Sequence, residues 1–160
     1  MNFSKTLSSG RRPRPSESRA RDRGRTRKLD SKTVYDLLRF GTSFLSDRPR
    51  PSLEARILLG HAGSLSEVQI FAAPEETLSP RSEARYLRLL ERRRSGVPLS
   101  YLTGTKEFWS LALGVSPSVL IPRPETEVLV EKVLELSSRD DETILDMGTG
   151  SGNIAIALAR

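Results

Sequence analysis

The sequence predicts an α + α/β protein, in which a helical bundle and a β-hairpin linker precede the start of a doubly wound α/β domain. Three observations support this fold class. Apolar residues recur at helical spacing before Gly96, strand-forming residues become frequent after Pro98, and a glycine-rich turn follows a short apolar run at 144–147. We therefore divide the chain into a tail at 1–30, a helical domain at 31–96, a hairpin linker at 97–121 and the start of an α/β domain at 122–160.

Helix-capping residues mark where the first three helices of the bundle are expected to begin. Asp30 or Ser31 is the predicted N-cap of the first helix, and Ser52 is predicted to open the second helix after a Pro-rich break. The segment Ser64–Glu67 has the pattern of a capping box and predicts a third helix after it.

The fourth helix has the clearest boundaries. Ser79 is its predicted N-cap, Pro80 takes its first position, and Gly96 lies just beyond its end. Arg92–Arg94 lie where a helix C-terminus favours positive charge. These arginines are interpreted either as a solvated helix end or as a contact with RNA.

The pattern changes from helical to extended after Pro98. Glu107–Val115 is rich in strand formers and Val119–Ile121 follows a Ser-Pro break, so we predict a hairpin from these segments. Pro122 and Pro124 then fix an extended segment. It leads into a helix whose apolar stripe is Val128, Leu129, Val130, Val133, Leu134 and Leu136.

The formal charge of +6 is concentrated at the start of the chain. Residues 1–30 contain ten Lys or Arg and three Asp or Glu, a net charge of +7. Residues 31–160 hold the other 16 basic and 17 acidic side chains, a net charge of −1. Because the tail is rich in Ser, Arg, Pro and Gly and poor in apolar residues, we predict that it is disordered.

Three interpretations of the basic tail remain open. It is a solvated or vector-derived extension, a segment that contacts the phosphate backbone of RNA, or a mitochondrial presequence. The third interpretation lacks the amphipathic apolar face that presequences carry.

Composition excludes several classes of site. The chain has no cysteine, which excludes disulfides and thiol catalysis. His61 is its only histidine, so we expect no histidine-built metal site and assign His61 a structural role. No apolar run approaches the roughly 18–20 residues that span a bilayer, and no secretory signal is recognisable. We expect a soluble, cytoplasmic monomer.

A glycine-rich turn carries the strongest signal of a ligand site. The apolar run Ile144–Met147 predicts a buried strand, glycines follow at alternate positions, and an apolar helix is expected to open at about Asn153. Glycines at this density let a ligand lie directly against backbone N–H groups, and the helix would point its positive end at the same place. The segment therefore predicts half of a nucleotide-type site.

The spacing Asp146-x-Gly148-x-Gly150-x-Gly152 differs from the dinucleotide fingerprint G-x-G-x-x-G. A carboxylate at the strand end repels phosphates, but it attracts the ammonium group of S-adenosylmethionine (SAM). The spacing therefore favours SAM as the ligand. The alternative is an ordinary strand-to-helix turn whose glycines serve only packing.

Three segments, Leu102–Trp109 (LTGTKEFW), Leu120–Glu127 (LIPRPETE) and Ile144–Gly152 (ILDMGTGSG), carry a resemblance to a known family. They resemble the HemK/PrmC family of peptide chain release factor N5-glutamine methyltransferases, over about residues 31–160. LIPRPETE is the specific segment, because most SAM-dependent methyltransferases share the glycine motif.

The resemblance implies methyl transfer from SAM to the glutamine side-chain amide in the Gly-Gly-Gln loop of class I release factors. It implies that the helical domain helps to recognise the release factor. Phe108 resembles an aromatic residue near the cofactor pocket, and Arg123 lies in the prolyl loop at its edge. Phe108 and Trp109 are equally open to core packing, and for Arg123 a structural role is favoured. The residues implied to bind SAM are Asp146, Gly148, Thr149, Gly150, Ser151 and Gly152.

The chain departs from the family pattern in one respect. The family continues with an acidic residue that holds the ribose and with Asn-Pro-Pro-Tyr, which grips the target amide, and the 160 residues contain no Asn-Pro-Pro-Tyr. An amide nitrogen is a poor nucleophile and has to be oriented and polarised by hydrogen bonds. We therefore name no catalytic residue and expect these residues to form the first part of such an enzyme, inactive on their own.

Two other functions stay open at this stage. One is an amino-methyltransferase that acts on nucleic acid, since such enzymes use a similar Asn-Pro-Pro-Tyr chemistry. The other is a non-catalytic module in which the bundle and the basic tail bind the ribosome or a release factor.

Overall fold

The structure, a computed structural model, describes residues 32–137 and 143–160. The predicted tail at 1–30 and residues 138–142 lie outside the described residues. Ser31–Arg160 form one compact unit. The described elements are α1 (Val34–Phe44), α2 (Pro51–Gly63), α3 (Glu67–Ala72), α4 (Pro80–Arg94), α5 (Leu99–Thr103), β1 (Thr105–Phe108), β2 (Leu111–Gly114), a 3-10 turn (Pro124–Thr126), α6 (Glu127–Leu136) and α7 (Asn153–Leu158).

The predicted helical bundle is present, and α2 packs between α1 and α4. Each helix turns an apolar stripe inward, as an amphipathic helix does in a globular core. A fully buried leucine in such a core contributes about 1.5–3 kcal/mol. The buried members of this core are Val34, Leu37, Leu45, Leu58, Leu59, Ala62, Ile70, Tyr86, Leu89, Leu90 and Leu102.

The first helix begins later than its predicted cap at Asp30 or Ser31. Thr33 is the N-cap, and its Oγ1 accepts a hydrogen bond of 3.1 Å from the backbone N–H of Asp36. The carboxylate of Asp36 in turn accepts one of 3.2 Å from the backbone N–H of Thr33. This reciprocal capping box satisfies two backbone donors, which explains the choice of Thr33. The hydrogen bonds from Thr33 also hold the pKa of Asp36 below its usual value.

The predicted starts of the second and third helices were also wrong, by one or two residues. Helix α2 begins at Pro51 rather than Ser52, because proline has no N–H to leave unpaired and its fixed φ suits the first helical position. The capping box of α3 is formed by Ser66 with Gln69, not by Ser64–Glu67. Ser64 instead ends α2 in the left-handed region, with φ of 54°.

Helix α4 confirms its predicted boundaries. The hydroxyl of Ser79 accepts a hydrogen bond of 3.1 Å from the N–H of Ser82, Pro80 occupies the first turn, and Gly96 follows with φ of +102°. A left-handed residue just past a helix end is most easily supplied by glycine.

Two of the three arginines at the end of α4 contact side chains of neighbouring helices. Arg93 donates two hydrogen bonds, of 2.7 and 2.9 Å, to the buried carboxylate of Glu54 on α2. These bonds raise the pKa of Arg93. The guanidinium of Arg94 lies 3.9 Å from the ring centre of Phe44 on α1, a cation–π contact. The two side chains therefore attach the end of α4 to both neighbouring helices.

The hairpin is formed by different segments of the chain from the predicted ones. Strands β1 and β2 pair antiparallel, with Phe108 opposite Leu111, so the turn at Trp109 and Ser110 falls inside the segment predicted as one strand. Both turn residues have positive φ, 51° and 58°, as a two-residue hairpin turn of type I′ requires. Val119–Ile121, predicted as the second strand, is not a strand, and helix α5 before the hairpin was not predicted.

The predicted buried strand at Ile144–Met147 is absent: these residues have an irregular backbone. The side chains of Ile144, Leu145 and Met147 are 48%, 80% and 85% exposed. A parallel strand is stable only between neighbouring strands and under covering helices, and no strand of the described residues pairs with this segment. The doubly wound sheet accordingly stays a prediction.

A second, smaller core forms where the hairpin meets α6 and α7. Phe108, Leu113, Val130 and Ala157 are its buried members. Only Val130 of the predicted apolar stripe on α6 is fully buried, and Val128, Leu129, Leu134 and Leu136 are exposed.

Among the described residues, no helix has the length and apolar character needed to cross a membrane.

Candidate functional site

The glycine loop, residues 148–152, has a backbone that only glycine adopts easily at three of its five positions. Gly148, Gly150 and Gly152 have φ of 81°, 56° and 76°, all in the left-handed region. A Cβ added at Gly148 would meet no atom within 4 Å. The glycines are therefore required by backbone conformation and not by crowding. Glycine at these three positions leaves the backbone of the loop without a side chain there.

Local hydrogen bonds hold the loop in a tight turn at the start of α7. The N–H of Gly152 donates to the carbonyl of Thr149 at 2.8 Å, and the hydroxyl of Ser151 lies 3.0 Å from the side-chain oxygen of Asn153. Helix α7 begins at Asn153 as predicted, but it is only six residues long. So short a helix has a small dipole, so the positive helix end expected behind the loop adds little attraction for a ligand.

The glycine loop and the prolyl segment, residues 120–126, form the two sides of one pocket. Its volume is about 400 Å³. Two motifs more than twenty positions apart in the sequence are thus brought together in space. The pocket is lined by Leu120, Ile121, Pro122, Arg123, Thr126, Gly148, Thr149, Gly150, Ser151, Asn153 and Ile154.

Four of the six predicted cofactor residues line this pocket: Gly148, Thr149, Gly150 and Ser151. Gly152 lies between two wall residues and ends the loop. Asp146 does not line the pocket, although it lies only two positions before the first residue of the loop. The wall residues Thr126 and Asn153 were not identified as site residues from the sequence, because Thr126 has no separate signal within LIPRPETE and Asn153 was noted only as the start of a helix.

Asp146 nevertheless carries an unsatisfied polar atom. Its side chain is half-buried, and its Oδ2 atom is buried with no hydrogen-bond partner among the described residues. A buried acceptor without a partner costs about 1–3 kcal/mol, more when it is charged. A cationic donor placed beside it would recover that free energy. The carboxylate acceptor of Asp146, close to the glycine loop in the sequence, therefore fits a ligand that has an ammonium group, as SAM does.

The structure assigns packing roles to two aromatic residues that the sequence left open. Phe108 is 1% exposed and belongs to the second core with Val130 and Ala157, outside the pocket. Trp109 packs partly against the same core, and its backbone N–H donates to the carboxylate of Glu127 at 3.1 Å. Arg123, by contrast, is exposed and lies on the pocket wall.

The helical bundle and the region that carries the pocket are both similar to known proteins of one kind. Residues 36–104 match the PrmC N-terminal domain family. A release factor glutamine methyltransferase of Moorella thermoacetica is 52% identical over 112 residues, which are 69% of this chain and 40% of that enzyme. The enzymes of the same name from Burkholderia pseudomallei and Vibrio cholerae are 43% identical over 135 residues and 44% identical over 131 residues.

These two matches cover 84% and 81% of this chain, and 45% and 46% of the two enzymes. The chain thus spans less than half the length of the curated relatives it matches. The matched region of the Burkholderia enzyme exceeds the N-terminal domain and extends into the part of the chain that carries the pocket. On the domain match and these identities, the chain belongs to the HemK/PrmC family.

Proposed function

We propose that this protein binds SAM between the glycine loop and the prolyl segment and serves the methylation of a glutamine side chain in a peptide chain release factor. The observation that supports this most strongly is the shared pocket, since its two sides are the two motifs that resemble the family. The names of the relatives supply the reaction and the substrate for the proposal.

Asp146 and the three glycines of the loop each have a role that their own chemistry allows. The carboxylate of Asp146 attracts the ammonium group of the methionine moiety, directly or through a water molecule. Gly148, Gly150 and Gly152 keep side chains away from the ligand, so that it lies against the backbone. SAM supplies the methyl group when it is bound. The residues of this chain thus hold and orient the methyl donor.

The target in this proposal is the amide of the glutamine in the Gly-Gly-Gln loop of class I release factors. The helical domain, residues 31–96, would recognise the release factor, because it contains most of the segment that matches the PrmC N-terminal domain. We assign no catalytic residue within the chain. The groups that orient the amide for attack would lie in an Asn-Pro-Pro-Tyr motif.

A fusion protein tests the proposal. Residues 1–160 would be joined to the part of the Moorella enzyme that follows the matched region, and the product incubated with methyl-labelled SAM. A class I release factor and a mixed nucleic-acid sample would be offered together as substrates. We expect the label on the release factor and, after peptide mapping, on the glutamine of Gly-Gly-Gln.

A matched fusion carrying Gly150→Val serves as the control for use of the pocket and should transfer no label. Label found on the nucleic acid would replace the proposal with an amino-methyltransferase of nucleic acid. A folded fusion that binds the release factor without labelling either substrate would favour a binding module.

A further inference from the structure

Four arginines form a continuous stripe along one side of α4. They are Arg81, Arg85, Arg88 and Arg92, at spacings of four, three and four residues, which places them on one face of the helix. All four side chains are exposed. At a rise of about 1.5 Å per residue, the stripe is roughly 16 Å long. We call these four residues the arginine stripe.

The stripe has no acidic partners within residues 32–137 and 143–160. Four other cations of the bundle are paired there, whereas no arginine of the stripe forms a salt bridge. The pairs are Lys32 with Glu83, Arg48 with Asp47, Arg56 with Glu67 and Arg93 with Glu54. Residues 31–160 carry a net charge of −1, so the stripe is a local concentration of charge and does not reflect a generally basic domain.

Two concave pockets flank the stripe, with volumes of about 430 and 320 Å³. No Asp or Glu of the part of the chain that the structure describes lines either one. His61 on α2 lies in the smaller pocket, and its Nε2 atom accepts a hydrogen bond of 2.7 Å from Arg85. Burial, followed by the charge of Arg85, lowers the pKa of His61. At neutral pH the imidazole is therefore an uncharged acceptor that orients Arg85.

We propose that the arginine stripe binds the sugar–phosphate backbone of a nucleic-acid strand. A row of guanidinium groups at nearly regular intervals suits an anion that repeats at regular intervals along a chain. Arginine binds phosphate oxygens in a bidentate manner, and all four positions are arginine with no lysine among them. Serine hydroxyls at Ser64 and Ser82 in the larger pocket add donors for the same backbone.

The surface around the stripe favours a nucleic acid over an acidic protein. The centres of protein–protein interfaces are enriched in aromatic and other apolar side chains. The large exposed apolar residues of the bundle lie on other helices, such as Tyr35 and Phe40 on α1 and Val68 and Phe71 on α3, and none lies on α4. The stripe thus offers charge and hydrogen-bond donors without an apolar centre.

Fluorescence anisotropy with a labelled 20-nucleotide uridine oligomer tests the proposal on the whole chain. The test variant replaces Arg81, Arg85, Arg88 and Arg92 by glutamine. The matched control replaces Arg11, Arg12, Arg14 and Arg19 of the basic tail by glutamine, which changes the net charge by the same amount. Circular dichroism should show that both variants keep the fold, because the stripe arginines are exposed.

Phosphate contacts release counterions, so each one adds about 0.7 to the slope of log K against log salt for a single strand. In the stripe variant, we expect the magnitude of this slope to be smaller by about 3, since four contacts are lost. We also expect the variant to bind the oligomer at least about 30-fold more weakly at low salt. The tail control should lose clearly less. A thymidine deoxyoligomer should bind within about threefold of the uridine oligomer, because backbone contacts carry little base or sugar specificity.

The NMR signal of His61 reports whether the oligomer binds at the stripe, because His61 is the only histidine of the chain and contacts Arg85. Its ring C–H signal in a proton–carbon NMR spectrum should shift as the uridine oligomer is added to the unmodified protein. An unmoved His61 signal, equal loss of affinity in the two variants, or tighter binding of a polyglutamate peptide than of the oligomer would each overturn the proposal. The last result would assign the stripe to an acidic protein.

Discussion

Replacement of Gly150 by valine is expected to abolish SAM binding at the glycine loop. The backbone at this position has φ of 56°, where a β-branched residue is strained by about 1–3 kcal/mol. Gly150 also lines the pocket, so the new side chain would occupy space that the ligand needs. The loss can be measured by equilibrium dialysis against labelled SAM.

Gly114→Val is the matched control for this substitution. Gly114 is an exposed residue at the end of β2, and a Cβ there would meet no atom within 4 Å. Valine is favoured in strands, so this variant should bind SAM as the unmodified protein does. Unchanged binding in the Gly150→Val variant would show that the loop is an ordinary turn with no part in the site.

The second large effect is expected in the core of the bundle, at the contact between α1 and α4. Gly41 faces the ring of Tyr86, which is fully buried and whose hydroxyl lies 3.3 Å from the carbonyl of Leu37. A Cβ at position 41 would lie 1.9 Å from that hydroxyl oxygen and 2.9 Å from the adjacent ring carbon. The two helices can therefore pack this closely only with glycine at this position.

Gly41→Ala should lower the free energy of unfolding by about 2–3 kcal/mol, because overpacking of a buried site forces side chains or backbone to shift. The higher helix propensity of alanine offsets at most about 1 kcal/mol of the loss. Urea denaturation followed by circular dichroism measures the change.

Tyr86→Phe provides the matching half of a double-mutant cycle. The substitution removes the hydroxyl oxygen that the new Cβ would strike, and alone it should cost about 1 kcal/mol for the lost hydrogen bond. The double variant should be more stable than the sum of the two single changes predicts. Strict additivity would show that Gly41 and Tyr86 do not oppose each other across the interface.

The parts of the fold that could be predicted from sequence are those whose determinants are local. Helix α4 was placed correctly because Ser79, Pro80 and Gly96 each act within one turn of a helix end. The start of α1 was misplaced because its cap depends on a reciprocal pair, Thr33 with Asp36, and not on the first capping residue along the chain.

The parts that could not be predicted depend on distant partners or on strained turns. The hairpin turn contains Trp109 and Ser110 instead of the Asn-Gly pair that usually signals positive φ. The apolar run at 144–147 has the composition of a buried strand, but pairing with neighbouring strands decides whether a strand forms.

The candidate site divides in the same way. The ligand proposed for the glycine loop was inferred from the spacing of its glycines and from Asp146, both visible in the sequence. The contact of this loop with the prolyl segment at 120–126 does not follow from either motif alone. It arises because Phe108, Val130 and Ala157 pack together and bring the elements that carry the two motifs into one unit.

The most direct test of the central claim is a proton–nitrogen NMR titration of this chain with SAM, which detects even millimolar binding. We expect the backbone amide signals of Gly148, Gly150, Ser151 and Arg123 to shift together. Asp146→Asn should weaken the response, and Glu131→Gln on the exposed side of α6 should leave it unchanged. A second groove lies in the bundle, where Ile57 of α2 and Ile70 of α3 are among its lining residues. Shifts confined to that groove, or no shifts in the glycine loop at saturating SAM, would contradict the claim that the loop and the prolyl segment form the cofactor site.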